Sequence, residues 1–594
     1  MPAHRNIWQR FLTWRIQHKN NRLFFLACAM LIGIVVCFIA LGLKTAVFEL
    51  KAWFTESRET SHTHLIYLVL PAAGVLAAML LKKWVIKDKV KHNVSSVLGA
   101  ISKRNSIMKA HKIVSSVLGG VFTAGLGGSV GLESPVISSG GSFGSNLGRL
   151  LRMDYKQVTL LLACGSAAGI SAIFNTPIAG IVFAIEVLMI DLTRYSLIPL
   201  LIASMSGTII TYIFYGEGVL FQYSISDAFI PEYIPYYIVL ALVTALVSLY
   251  FTKVYLWIEH RFDKLKSTWY KWLIGSTLLG GLLFVFPQLW GEGYFNISQL
   301  LNHDLNGLLG NTFYQAAAKD YVGVFILIMV MLILLKGIAT SITISAGGIG
   351  GIFAPSAFTG AFTGYTFAFV VNMIAGTRLI PPAHFALVGM AGALSGVLHA
   401  PLTGLFLIAE ITKGYHLIIP LMICVTITFV IVKALEPNSV FTMQLARKGQ
   451  LITHNKDKAV LTFMKLENVI EREFVTVPVD ASLGELVKYI AKSKRDIFPV
   501  VGQNNKLEGI IHIQDIREIM FDKSHYDNTW VRNLMRIPPA VIQMHDSMQQ
   551  VMRKFKKTDA WNLPVVDGDK YEGIISKSSL FSVYRKQLME ITED

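Results

Sequence analysis

Glu133 is the residue with the clearest chemical consequence. It stands in the run Gly131-Leu132-Glu133-Ser134-Pro135, with apolar segments on both sides. An ionisable group in such a setting is costly and points to function. When ionised, its carboxylate competes with a small anion for any nearby pocket of donors; when protonated, it leaves that pocket free. Glu133 is therefore a candidate gate and proton acceptor. A second run, Gly351-Ile352-Phe353-Ala354-Pro355, repeats the glycine and proline at the same spacing without the acid. Proline suits the first turn of a helix, where its missing N–H is not needed, so each run predicts a helix beginning at a break. Helix starts expose N–H groups and a positive dipole end, and both favour anions. Within a membrane such breaks are tolerated where they face a ligand or a wet cavity. Two of them aimed at one place predict a site for an anion small enough to be held by main-chain amides.

Other polar residues carry weaker signals. Glu186 and Glu410 each close an apolar helix opened by a proline, Pro177 or Pro401. Pairing with backbone or a basic neighbour, and a duty in transport, are both open for them. Ser138, Ser139 and Ser142 beside glycines, with His399 in an apolar run, raise a distant alternative, an intramembrane serine hydrolase. These serines fall on a small-residue packing face, and no enzyme is expected. The four cysteines, Cys28, Cys37, Cys164 and Cys424, lie in apolar segments without metal-type spacing, so they read as small buried hydrophobes and no metal is expected.

The elements that carry these residues follow from the apolar runs. Of 594 residues, 53% are apolar and 15% charged, a balance that excludes a protein whose whole surface meets water. Apolar runs recur from Leu23 to Leu43, Leu65 to Leu81, Tyr236 to Leu256 and Tyr321 to Leu335, against roughly 20 residues needed to cross a bilayer. The net charge of +16 comes from basic residues clustered beside these runs, so a lipid bilayer is the expected partner and nucleic acid is not. Arg5, Arg10, Arg15, Lys19 and Arg22 precede the first span without an acid, placing the N-terminus in the cytoplasm. No small-residue cleavage site follows that span, which reads as a retained helix.

The membrane part is written twice. Gly131, Pro135, Gly140 and Gly144 answer Gly351, Pro355, Gly360 and Gly364; further on, Ser171, Pro177, Gly180 and Glu186 answer Ser395, Pro401, Gly404 and Glu410. For Gly140, Gly144, Gly360 and Gly364 close helix packing is the simpler role. From about Asn455 the texture changes to short mixed elements, and FPVVGQNNKLEGIIHIQDI at 498–516 is echoed by LPVVDGDKYEGIISKSSL at 563–580. The expected division is a cytoplasmic basic segment at 1–22, a membrane domain at 23–449 with halves at 65–256 and 270–449, a linker at 450–465, and two small modules at 466–526 and 527–590.

GLESP resembles the GxEGP segment of the CLC chloride channel and transporter family, and GGIFAP at 350–355 resembles its GxFxP segment. FNTPIAGIVFAIEV at 174–187 is similar to the helix after the first of these, and Lys336 with the SAGGIGG run also fits. The two echoed tail segments resemble a pair of CBS modules. The fold this resemblance implies is an all-α polytopic membrane domain, an inverted repeat of tilted and broken helices, followed by a soluble α/β tandem CBS domain. The implied activity is transport of chloride or a similar small anion, run either as proton-coupled antiport or as a passive voltage- or pH-gated channel, in a homodimer with one pathway per subunit. Chloride is then the ligand, protons a possible second partner, and no cofactor is required. The expected location is a bacterial inner membrane, with both termini cytoplasmic.

Residue by residue, Glu133 matches the family's gating glutamate. The amides of Ile352 and Phe353, with Ala354 next, match donors to the central anion. Gly131, Leu132 and Ser134 belong to the helix start that meets the outer one. The family's serine donor aligns with His92, whose imidazole could donate N–H or simply add positive charge at a helix end. Its pore tyrosine aligns with Phe441, a ring without a donor. Its internal proton glutamate aligns with Val187, which cannot carry a proton. In the tail, Asp515 fits a ribose-binding position for an adenine nucleotide, while the second module has Ser579; a module with no ligand is the simpler reading.

Overall fold

A computed structural model describes residues 22–55, 63–86, 93–103, 105–216, 229–310, 312–412, 415–447, 464 and 466–592. The expected basic N-terminal segment, His92 and nearly all of the expected linker lie outside the described residues. The chain divides into two units, Met1–Leu451 and Ile452–Asp594.

The first unit is helical. Its main helices are α1 (Arg22–Thr55), α2 (Thr63–Leu80), α3 (Val94–Lys103), α4 (Lys112–Gly125), α5 (Glu133–Leu150), α6 (Tyr155–Phe174), α7 (Pro177–Glu186), α8 (Arg194–Tyr215), α9 (Ile234–Asp263), α10 (Thr268–Val285), α11 (Tyr294–Leu301), α12 (Val322–Ser345), α13 (Phe353–Ala375), α14 (Pro382–Leu398), α15 (Pro401–Ile411), α16 (Ile418–Leu435) and α17 (Val440–Arg447). Among the described residues eight helices are long and apolar enough to cross a bilayer. Several others are shorter, among them α4, α7, α14 and α15.

The sequence repeat is also a packing repeat. α5 lies on α6 and α13 lies on α14. Glycine meets glycine at both crossings: Gly140 sits against the Gly165 carbonyl, and Gly360 against that of Gly389. With no Cβ on either side the backbones approach closely, which supplies packing attraction where lipid offers no hydrophobic drive. A symmetric pair of carboxylates joins the halves. The Glu186 carboxylate accepts from the Leu402 and Thr403 amides at 2.9 and 2.8 Å, and from the Thr403 hydroxyl at 2.8 Å. Glu410 accepts from the Ile178 and Ala179 amides at 3.0 and 2.8 Å. Each half thus caps the proline-led helix of the other, satisfying N–H groups that a helix start leaves open.

The second unit holds two three-stranded sheets of one design. In the first, β1 (Val477–Pro478) pairs in parallel with β2 (Ile497–Val501), which pairs antiparallel with β3 (Leu507–His512). In the second, β4 (Ile542–Gln543), β5 (Asn562–Asp567) and β6 (Lys570–Ser576) repeat that order. Helices α18 (Leu483–Lys492) and α19 (Met548–Thr558) bridge each parallel pair, and α20 (Lys577–Thr592) follows β6. The register shifts at Val500/Val501 and again at Val565/Val566, equivalent positions in the two echoed segments.

Candidate functional site

The two breaks meet. The Gly131 amide donates to the Gly351 carbonyl at 2.9 Å, and the Gly351 amide donates back to the Gly131 carbonyl at 2.8 Å. An antiparallel bridge between equivalent residues requires a local two-fold relation, the signature of halves inserted in opposite senses. Leu132 and Ile352, the residues before α5 and α13, have nearly the same backbone angles, φ −86° and −95° with ψ −10° and −3°. Neither Leu132 nor Ile352 caps its helix through a side chain. A Cβ on Gly131 would displace Glu133 Oε2, and one on Gly351 would press on the Ser134 side chain.

Glu133 opens α5 and is fully buried. Its Oε1 accepts from the Tyr294 hydroxyl at 2.6 Å. The main-chain N–H groups of Glu133 and Ala354 face the carboxylate, while Oε2 has no partner at hydrogen-bonding geometry. Aromatic rings wall this side: Phe174 meets Tyr294 edge-on at 5.9 Å and Phe353 at 5.6 Å. Tyr294 is aimed by the turn before α11, where Gly293 takes φ +96°, a conformation other residues resist. Lys336 fixes that turn from α12. It is fully buried, and its ammonium donates to the Leu289 and Gly291 carbonyls at 3.1 and 2.9 Å and lies 4.9 Å from the Phe358 ring centre.

Beside the paired glycines a cavity of about 20 Å³ has room for one water-sized or small-ion occupant. Ser134 and Ile352 line it from the two breaks, Asn93 and Ser95 from the start of α3, Tyr255 from α9, and Phe441 from α17. The Ser95 hydroxyl donates to the Phe441 carbonyl at 2.9 Å, tying α3 to α17. Ser134, Gly351, Ile352 and Phe441 therefore share this cavity, while the Glu133 carboxylate lies by Tyr294 and the Ala354 amide and is not part of its lining. The neighbours of His92, Asn93 and Ser95, reach the cavity too. Val187 lies elsewhere, buried at the end of α7, its amide bonded to the Phe183 carbonyl at 2.9 Å.

Three site residues escaped the sequence reading. Tyr294 opens a short mixed helix after Gly-Glu-Gly, and Tyr255 sits in an apolar span where an aromatic residue carries no distinguishing signal. Asn93 follows His92 in the run Lys91-His92-Asn93-Val94-Ser95, which has no glycine or proline to fix the register of the alignment.

Among the described residues no hydrogen bond joins His399 to Ser138, Ser139 or Ser142. Ser139 and Ser142 donate to the Ile113 and Lys109 carbonyls, and Ser138 accepts from Ser116. His399 ends α14 in the left-handed region, with its ring edge-on to Phe429 at 6.1 Å. In the tail, Asp515 is ion-paired with Arg536 at 2.8 Å, and the Ser579 hydroxyl donates to the Val469 carbonyl.

Residues 73–433 match the family model described as voltage gated chloride channel, and residues 466–522 and 531–586 each match the CBS domain model. The chain is 27% identical over 429 residues to the H(+)/Cl(-) exchange transporter ClcA of Vibrio vulnificus, covering 69% of this chain and 86% of that protein. It is 25% identical over 523 residues to the chloride channel protein CLC-f of Arabidopsis thaliana, covering 80% and 65%. Among solved structures it resembles a slow cyanobacterial Cl-/H+ antiporter, with TM-score 0.62 and 21% identity over 71% of this chain and 97% of that one. A eukaryotic CLC transporter gives TM-score 0.61 and 16% identity over 94% and 98%. At these identities the structural likeness speaks for the fold.

Proposed function

Because this chain belongs to the voltage gated chloride channel family, whose members move anions across membranes, we propose that chloride or a similarly small anion crosses it between the paired breaks, with Glu133 as the gate. The observation that carries this reading is the exchange of hydrogen bonds between Gly131 and Gly351. It brings two helix starts together, and the buried acid lies beside them. Ionised, the Glu133 carboxylate occupies the position an anion would take against the amides. Protonation weakens that hold, and the carboxyl swings away.

In this proposal the amides of Ile352, Phe353 and Ala354 hold the central anion, with Phe441 closing the cavity by its ring. Gly131, Leu132 and Ser134 form the outer start. A residue that moves off its site with a proton attached couples the two ions, and relatives named as H(+)/Cl(-) exchangers support an exchange cycle. A passive channel is the second reading, favoured by Val187, which is apolar and buried where the resemblance calls for a proton-carrying glutamate. We assign the CBS pair a regulatory role acting as a protein module. An adenine nucleotide held by Asp515 would have to displace Arg536. A homodimer with both termini cytoplasmic completes the proposal.

Liposomes holding the purified chain under opposed chloride and proton gradients test it. An exchanger drives protons uphill when chloride runs down its gradient. A channel gives chloride flux with no uphill proton movement. No anion flux from folded protein contradicts both readings.

A further inference from the structure

The cavity beside the paired glycines contains more donors than the described residues around it use. Tyr255 is 4% exposed and lines that cavity, yet its hydroxyl makes no hydrogen bond to any described residue. A hydroxyl that opens on a cavity without a protein partner is free to donate to whatever occupies that cavity. Asn93 repeats the pattern. Its Oδ1 accepts from the Ser96 amide at 3.2 Å, which directs its NH2 group, two donors, away from that contact. Phe441, on the same wall, offers only a ring, and its carbonyl is engaged by Ser95.

From this we infer that Tyr255, from the C-terminal third of a membrane-crossing helix, is the side-chain hydroxyl donor to the central anion, with the Asn93 amide beside it. Hydroxyl and amide donors without a matching acceptor among the described residues fit a ligand that only accepts, and a monatomic or small oxyanion is such a ligand. α9 is the element that makes this possible. It runs from Ile234 to Asp263 and delivers Tyr255 to the cavity from a direction that neither break supplies. The inference rests on the transport reading above, and it adds the residue that sets affinity and selectivity within the central site.

Chloride titration of the purified full-length protein, by calorimetry and by chloride-dependent melting, tests it. Tyr255→Phe removes one oxygen and keeps the ring. It is expected to weaken chloride binding about tenfold, the effect of a hydrogen bond to a charged ligand, while leaving the melting temperature in chloride-free buffer near that of the parent. Phe441→Tyr in the Tyr255→Phe background returns a hydroxyl to the same cavity and is expected to recover most of the affinity, an effect that a purely structural tyrosine would not show. If the phenylalanine variant does not fold, 3-fluorotyrosine at position 255, a stronger donor in the same envelope, is expected to tighten binding. Unchanged affinity in Tyr255→Phe, or in the fluorotyrosine protein, would overturn the inference while the parent still binds chloride. A parent protein that binds no chloride would overturn the transport reading and the inference with it.

Discussion

The Tyr294 hydroxyl donates to Glu133 Oε1 across 2.6 Å, joining the proposed gate to a turn that Lys336 holds through two carbonyls. The bond holds the carboxylate in its place beside the breaks. Tyr294→Phe removes it and keeps the ring packed against Phe174. A hydrogen bond to a charged acceptor contributes about 1.5–3 kcal/mol, and about 1.4 kcal/mol is tenfold in an equilibrium. Chloride efflux from liposomes at fixed pH should therefore rise about tenfold or more in the variant. Efflux equal to the parent's would mean that the bond does not restrain the gate.

The turn itself is open to a separate test. Lys336→Met keeps the length of the side chain but leaves the Leu289 and Gly291 carbonyls without their donor. Each buried acceptor so abandoned costs about 1–3 kcal/mol. A clear drop in melting temperature is expected, together with faster efflux as Tyr294 loses its aim. A melting temperature unchanged by the substitution would show that water replaces the ammonium at no cost.

Gly351→Ala examines the meeting of the breaks. The new methyl would crowd the Ser134 side chain, and overpacking of this kind costs about 1–3 kcal/mol. The two helix starts must separate to admit it, so chloride affinity should fall along with stability. Parent-like affinity in a folded variant would separate the anion site from the glycine bridge.

Glu186 and Glu410 invite the opposite expectation. Their carboxylates are already taken up by amides of the facing half. Glu186→Ala and Glu410→Ala should each destabilise by about 1–2 kcal/mol, as lost helix caps do. Transport per folded molecule, and any ratio of protons to chloride, should stay at the parent's value. A lost proton flux in Glu186→Gln would give that residue a relay duty.

The sequence carried the duplication plainly, because glycine and proline at fixed offsets record backbone geometry: positions where a chain must break, start a helix or lie against another chain. The meeting of Gly131 with Gly351, the tail's two strand-turn-strand echoes and the closeness of Glu133 to the amides all derive from such residues. What escaped was supplied by ordinary side chains across long separations. Tyr294 reaches Glu133 from 161 positions away, out of a short helix with no counterpart in the other half's motif. Tyr255 looked like one more aromatic in an apolar span. The reciprocal caps of Glu186 and Glu410 were half legible: the equivalence of the two acids was visible, whereas their partners depend on how the halves dock.

Glu133→Gln is the most direct test of the central claim that this carboxylate occupies the anion's path and leaves it on protonation. In liposomes the parent's chloride flux should rise as pH falls, because protonation frees the gate. The glutamine variant, neutral at every pH, should pass chloride at a rate independent of pH and move no protons. Flux that still rises as pH falls, or proton movement that persists, would contradict the account.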